Sequence, residues 1–396
     1  PLRRQIPIRR MRDAMGNVGF VFAMIVIFAV YGGANWYLGR RIFRWLRLLF
    51  PRVGAGWFAA IYALCALSPV LAAAPLPDFP RYALDAAGSY WMGVFVYLLL
   101  FFLAADLAML AGTLLKTIPT PVPRRARFYG GLAALLLAAG FTGYGIVNAL
   151  QIRQVSYEIR LDEPGSPAAG LRIVLISDLH LGAVGSEKRL ASVVDAVNRL
   201  EPDLVCIAGD IFNDDYFAIR DPEQAVRLLR SIRSVYGVYA SLGNHDGGAT
   251  FDLMLDFLER SNIRVLMDEY EIVGGRIVLL GRLDPSPIGG YGGLRRKELL
   301  ELAAAPDKDL PVVVMDHTPI RLEQYDRGFD LILSGHTHKG QIFPANLITR
   351  MLFETDYGYY RRDASAPHVV VTSGAGTWGM PMRVGSHNEV VGIRLR

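Results

Sequence analysis

The stretch "DLILSGHTHKGQ", residues 330–341, is a short apolar run that meets a Ser-Gly turn and then presents His336 and His338 one residue apart, followed by Lys339. The chain has 396 residues and only seven histidines, so composition does not explain this pairing. The same design recurs on both sides of it. "LRIVLISD" (171–178), "DLVCIAGD" (203–210), "GVYASLGNHD" (237–246), "GRIVLLG" (275–281), "PVVVMDH" (311–317) and "HVVVTSG" (368–374) are all short apolar runs that end in polar or turn residues. Runs of this length, bounded by turn formers, read as buried strands. Helical spacing predicts helices between several of them, over Glu187 to Leu200, Pro222 to Ile232 and Thr250 to Arg260. Strands alternating with helices define an α/β domain, with ligand chemistry at the carboxyl ends of the strands. "VSYEIRL" (155–161) alternates as one more strand, and "DEPGSPAAG" (162–170) is a turn-rich connector.

Upstream the composition changes. Residues 1–150 hold 15 Lys/Arg against 4 Asp/Glu, a net of +11, and no histidine; residues 151–396 hold 27 against 33, a net of −6, and all seven histidines. The expected division is therefore a membrane domain over 1–150 and an α/β domain over 151–396. Four apolar stretches in the first part are long enough for spans of about 20 residues: Gly16 to Leu38, Val53 to Ala74, Ser89 to Leu115 and Phe128 to Leu150. Arg40, Arg41, Arg44, Arg47 and Arg52 follow the first span, and Lys116, Arg124, Arg125 and Arg127 follow the third. The positive-inside rule puts these two loops in the cytoplasm, which makes the α/β domain of a multi-pass inner or plasma membrane protein extracytoplasmic. Five arginines in the N-terminal tail, Arg3, Arg4, Arg9, Arg10 and Arg12, pull the other way.

Arg40 to Arg47 reads either as a basic amphipathic helix on the membrane surface or as the arginine-bearing end of the first span. Asp106, within the third span, is either functional or bonded to a neighbouring helix. A basic balance carried by apolar spans points to membrane lipids and not to nucleic acid as the partner. Cys65 and Cys206 sit in apolar runs as small hydrophobes, and no CxxC pair exists.

Five strand ends carry residues that bind metals: Asp178 and His180; Asp210; Asn244, His245 and Asp246; His317; and His336 and His338. Any one of them would serve as an ordinary cap or a satisfied polar group. All five together, using five of the seven histidines, point to one site. Pairs such as Asp178/His180 and His336/His338, on extended segments, can each reach a common centre.

The series D-x-H, G-D, G-N-H-D, H and G-H-x-H resembles the calcineurin-like metallophosphoesterase family. Its bacterial, membrane-associated branch is also resembled by "GHTHKGQ" and "TSGAGTWGMPMRVGSHNEVVGIRLR". The resemblance spans roughly 171–396 and implies a layered β-sandwich of α/β class flanked by helices, here preceded by four transmembrane helices. It implies two divalent metals: Asp178, His180, Asp210 and His338 around the first, and Asp210, Asn244, His317 and His336 around the second, with Asp210 bridging. Mixed imidazole and carboxylate donors suit Mn, Fe or Zn better than Mg or Ca. The implied activity is hydrolysis of a phosphate mono- or diester or a pyrophosphate by metal-activated hydroxide. His245 then stabilises the phosphoryl oxygens or protonates the leaving group.

Asp246 either fixes the His245 tautomer or caps the helix that follows. Asn244, His245 and Lys339 are the residues expected to meet substrate; Lys339 stands where a small residue is expected, and either reaches an anion or turns to solvent. "GGYGGL" (289–294) lacks the spacing of a nucleotide loop and reads as a mobile loop near the site. The substrate expected of a four-span anchor is a phosphorylated lipid or envelope precursor. A broad phosphodiesterase that is merely tethered, and a transporter or sensor with a regulatory metal domain, stay open beside it. The sequence does not set the oligomeric state.

Overall fold

The computed structural model describes residues 6–72, 74, 76–161, 165–302, 305–307 and 309–396, with the side chains of 6–18, 20 and 78 outside that description. Arg3 and Arg4 of the N-terminal tail therefore fall outside the described residues, as do the side chains of Arg9, Arg10 and Arg12. Two compact units are present, Pro1–Gly145 and Ile146–Arg396.

The first unit is built from α1 (Ile6–Leu49), α2 (Ala55–Leu71), α3 (Asp78–Leu114) and most of α4 (Arg124–Ala149). Among the described residues three helical segments are long and apolar enough to cross a membrane: Val21–Leu49, Phe79–Leu114 and Arg124–Ala149. The expected span from Val53 to Ala74 is instead the shorter apolar α2, 17 residues long. A turn at Pro51 and Arg52 delays its start and Pro69 lies in its last turns. At 1.5 Å per residue it covers about 26 Å, a few ångströms less than the roughly 30 Å hydrocarbon core.

Arg40 to Arg47 simply continue α1 to Leu49, so they form the basic end of that long apolar helix and not a separate surface helix. Asp106 is paired with Arg41 of α1 and accepts from the Tyr37 hydroxyl at 2.7 Å. This bonding between helices is the second of the two readings of Asp106, and it accounts for a partly buried carboxylate in an apolar helix.

Among its described residues the second unit carries twelve strands. β1 (Ile152–Ile159), β2 (Arg172–Ile176), α5 (Ser186–Arg199), β3 (Leu204–Ala208), α6 (Pro222–Arg230), β4 (Val238–Ser241), α7 (Phe251–Arg260) and β5 (Ile263–Val265) come first. β6 (Glu269–Val273), β7 (Ile277–Gly281), β8 (Val312–Met315), β9 (Leu331–Ser334), α8 (Ala345–Leu352), β10 (Gly358–Tyr360), β11 (His368–Val371) and β12 (Asn388–Leu395) follow. They form two six-stranded sheets, ordered β1-β12-β2-β3-β4-β5 and β10-β11-β9-β8-β7-β6.

Alternation along each strand sorts side chains into three layers. Ile173, Leu175 and Cys206 of the first sheet meet Leu279, Val313, Met315 and Leu333 of the second in one cluster, the filling of a β-sandwich. Val174, Ile176, Val205 and Ile207 face the other way, onto Leu190 and Val193 of α5, Leu229 of α6 and Phe257 of α7. On the outer side of the second sheet Leu280, Val314 and Ile332 pack on Leu322 and Tyr325. Strands buried on both faces cannot alternate with polar residues, which is why they read in the sequence as unbroken apolar runs. β2, β3 and β4 are parallel neighbours, as are β8 and β9, so the loops leaving their carboxyl ends gather at one edge.

Candidate metal centre

Those five loops bring the candidate donors together. Asp178, His180 and His338 form one group, and Asp210, His317 and His336 form another; within each group the donor atoms all lie within 4.8 Å of one another. In the first group, His180 Nε2 lies 3.1 Å from His338 Nε2, and His338 Nε2 lies 3.3 Å from Asp178 Oδ1. In the second, His317 Nε2 lies 3.1 Å from Asp210 Oδ2 and 3.3 Å from His336 Nδ1. Asn244 Oδ1 adds a further oxygen, 2.8 Å from His336 Nδ1. Asp210 Oδ2 also lies 3.8 Å from His180 Nε2, so this carboxylate stands between the two groups.

Paired donors do not converge because the chain is extended there. Asp178, His180, Asp210, His336 and His338 all have positive φ, between +46° and +68°. A non-glycine residue in this region is held there by its surroundings, at a cost of about 1–3 kcal/mol each. The surroundings are main-chain bonds between the loops: Asp178 N–H donates to Gly209 O (3.0 Å) and His180 N–H to Asp210 O (3.1 Å). The His336 N–H donates to the Asp178 carboxylate (3.2 Å). Gly335 makes this approach possible, since a Cβ there would stand 1.9 Å from Ser177 Oγ and 2.5 Å from Asp178 Oδ2.

The donor set fits divalent cations. Asp178, His180, Asp210 and His317 are buried, and lone pairs point at one another across the gap. Burial pushes the Asp178 carboxyl up to about 6 and the His180 and His336 imidazoles down to about 3 and about 4. Burial also sends His338 well below the ordinary histidine range, so these three imidazoles are in the neutral, ligating form. Burial alone would lower His317 and raise Asp210, but the charge of each on the other more than offsets it, and His317 rises while Asp210 falls. His317 Nδ1–H donates to Ala208 O at 2.7 Å, which fixes its ring.

His245 sits beside this centre, its ring 5.1 Å from that of His180 and its N–H donating to Asp210 Oδ1 at 2.9 Å. Asp246 neither orients His245 nor caps α7, whose N-cap residue is Thr250. The two Asp246 oxygens accept the N–H groups of Phe212 and Gly243, each at 2.8 Å, so this carboxylate ties the β3 and β4 loops together. His245 Nδ1 instead lies 2.7 Å from Asp214 Oδ1. Burial works against the protonated ring, yet the bond to Asp214 and the charges of Asp210 and Asp214 raise His245 above the ordinary histidine value.

Lys339 is not directed to solvent; its Nζ lies 3.9 Å from the centroid of the Tyr357 ring. The "GGYGGL" segment does adjoin the site, but it is pinned there by buried Tyr291, whose hydroxyl donates to Gly243 O at 2.8 Å.

Three contributors were not singled out from the sequence. Asp214, in "GDIFNDD", could have been suspected as an acid four residues past Asp210. Arg383 is fully buried and donates to the His338 carbonyl at 2.9 Å and to Asn388 Oδ1 at 2.9 Å, which holds the last histidine turn. Trp378 is half exposed with its ring 5.9 Å from that of His245. Neither of these two has a local signal.

Two parallel-rich sheets packed face to face, with two adjoining groups of carboxylate and imidazole donors at their strand ends, define a metal-dependent phosphoric ester hydrolase. The chain belongs to the calcineurin-like phosphoesterase family, whose model matches residues 171–340. It is 30% identical to a "Transmembrane protein with metallophosphoesterase domain" of Danio rerio, over 77% of this chain and 72% of that protein. It is 26% identical to an uncharacterized metallophosphoesterase of Campylobacter jejuni, over 95% of this chain and 99% of that one. A solved dimetal phosphatase of Danio rerio is 13% identical with a TM-score of 0.30, over 51% of this chain and 87% of that one.

Proposed function

We propose that the chain is a membrane-anchored phosphoesterase that uses two metals of the Mn, Fe or Zn type on a phosphorylated lipid or envelope precursor. Asp178, His180, Asp210 and His338 would hold one metal, and Asp210, Asn244, His317 and His336 the other. When bound, the pair supplies Lewis acidity to the phosphoryl group and lowers the pKa of the attacking water. The observation that carries this reading is the place of Asp210 between the two donor groups, with the Asp214-held His245 beside it. With Nδ1–H donating to Asp214, protonated His245 keeps Nε2–H for the leaving oxygen. Asn244 and Trp378 border the same space, and Lys339 contributes positive charge nearby.

Membrane anchoring is supported by the three long apolar helices, which leave side chains such as Phe22, Val30, Leu107 and Leu136 exposed, and by the transmembrane relative. With α2 counted as a fourth crossing, the basic loops after the first and third spans support an extracytoplasmic catalytic unit at the inner or plasma membrane. The test is to incubate the purified protein, with a His336→Ala control, in membrane lipid extract plus Mn²⁺ and to identify products by mass spectrometry. A metal-dependent loss of a phosphate-bearing lipid species, absent in the control, is expected. Cleavage of a soluble diester with every lipid unchanged would leave only a tethered, broad phosphodiesterase. Protease should reach the catalytic unit from the extracytoplasmic face of sealed vesicles; protection there reverses the orientation.

A further inference from the structure

The first unit contains a cavity of about 600 Å³ that has no part in the metal centre. Arg40, Arg44 and Arg47 of α1 and Arg127 of α4 line it, with Phe43 and Phe102 among its apolar walls. Arg40, Arg44 and Arg47 follow one another at four and three residues, so they share one face of α1. Arginines that merely mark the cytoplasmic end of a span reach separately into water. Here the exposed Arg40, Arg44 and Arg47 of one helix and Arg127 of another border one common space; Arg41 also lines it, but it is matched by Asp106. Arg40 lies over the Trp36 ring and Arg47 over the Phe43 ring, and among the described residues no carboxylate pairs with Arg40, Arg44, Arg47 or Arg127. Four positive charges are therefore gathered without an anion, and guanidinium is the group best shaped for phosphate oxygens.

The wall is a built one. Trp45 donates from Nε1 to Phe128 O at 2.9 Å and stacks on the Phe128 ring at 5.8 Å. Its indole fits only because residue 131 is glycine: a Cβ there would stand 2.1 Å from Trp45 Cδ1. Cationic groups beside aromatic and aliphatic walls match a ligand with a phosphate at one end and hydrocarbon at the other.

We propose that this cavity binds the phosphate headgroup of an anionic membrane lipid, with Arg44 and Arg127 as its principal contacts. The site is independent of the catalytic reading above, and either can fail without the other. The test uses the full chain, purified in neutral detergent and stripped of lipid, with retention of added lipid followed by native mass spectrometry. Phosphatidylglycerol should be retained in preference to phosphatidylcholine. A double variant, Arg44→Gln with Arg127→Gln, should weaken that retention about tenfold or more, while Arg44→Lys with Arg127→Lys keeps most of it and Arg52→Gln, away from the cavity lining, changes nothing. Equal retention of the two lipids, or an unchanged Gln double variant, overturns the proposal. So does a Lys pair as weak as the Gln pair, or an equal loss in Arg52→Gln. Displacement of phosphatidylglycerol by millimolar inorganic phosphate would make the ligand a free anion and overturn the lipid assignment.

Discussion

His245 Nδ1 lies 2.7 Å from Asp214 Oδ1, and Asp214 comes from the loop after a different strand. The bond orients the imidazole and favours its protonated form, so that the folded value of His245 is raised although burial opposes it. A reaction that needs the protonated ring persists as pH climbs past the ordinary histidine value and is lost as pH passes through the raised one. Asp214→Asn should lower kcat by about 10- to 100-fold and move the alkaline limb of the kcat profile to lower pH, with metal content intact. An unmoved limb would remove Asp214 from the mechanism.

Asp246 should behave differently. Asparagine offers one acceptor oxygen where the aspartate serves two main-chain N–H groups, so Asp246→Asn leaves a buried donor unpaired, at a cost of about 1–3 kcal/mol. Thermal or chemical unfolding should report that loss, while the alkaline limb of the kcat profile stays in place. A shifted limb with unchanged stability would return Asp246 to the role the sequence suggested.

Metal content offers a direct count. His336 belongs to the group with Asp210 and His317, whereas Asp178, His180 and His338 form the other. His336→Ala should bring the metal bound per chain from about two to about one by elemental analysis, and Asp210→Ala should lower both. Chelation should abolish hydrolysis and reduce Tm, since ions that bind only the folded chain stabilise it by mass action, about 4 kcal/mol at a thousand times Kd. Full metal content in His336→Ala would break the two-group assignment.

Gly335 is the tightest point of the centre. Gly335→Ala forces a methyl group to within 1.9 Å of Ser177 Oγ, so the His336 turn must move away from Asp178. We expect metal affinity to fall by more than about tenfold, with the sheets still folded by circular dichroism. Normal affinity would mean that the loops shift without altering the donors.

Glu389 gives a stability test away from the metals. Its buried carboxylate accepts from the Thr372 hydroxyl (2.9 Å), the Ser373 N–H (3.0 Å) and the Tyr357 hydroxyl (3.0 Å), with His387 Nε2 at 2.8 Å. Burial alone would raise its pKa, but the bonds from His387 and Ser373 outweigh it and the folded value is depressed. A depressed carboxylate contributes stability above the unfolded value and loses it as pH falls through the folded one. Glu389→Gln should therefore cost about 1–3 kcal/mol at neutral pH, and the difference from the parent protein should shrink in acid. A gap that stays constant with pH would show that packing, not charge, is at stake.

Much of this protein was legible in one dimension. Helices expected over Glu187 to Leu200, Pro222 to Ile232 and Thr250 to Arg260 form over Ser186–Arg199, Pro222–Arg230 and Phe251–Arg260. The apolar runs form strands, because a strand buried on both faces writes its environment directly into consecutive residues. The donors at their ends were visible for the same reason: each motif is local, and only the strand register is needed to bring it to the sheet edge. The three long apolar helices were equally plain from length and composition, although α2, which starts only after the turn at Pro51 and Arg52, is shorter.

What the tertiary structure alone decided is which side chain serves which neighbour. Asp246 adjoins His245 in the chain, yet its carboxylate turns to the N–H groups of Phe212 and Gly243, while Asp214, 31 residues away, takes the imidazole. Arg383 reaches the His338 carbonyl across 45 residues, and Arg41 reaches Asp106 across 65. Such pairings depend on strand order, helix packing and the left-handed turns at the donors. These follow from burying the whole chain at once, so no local pattern of residues can encode them.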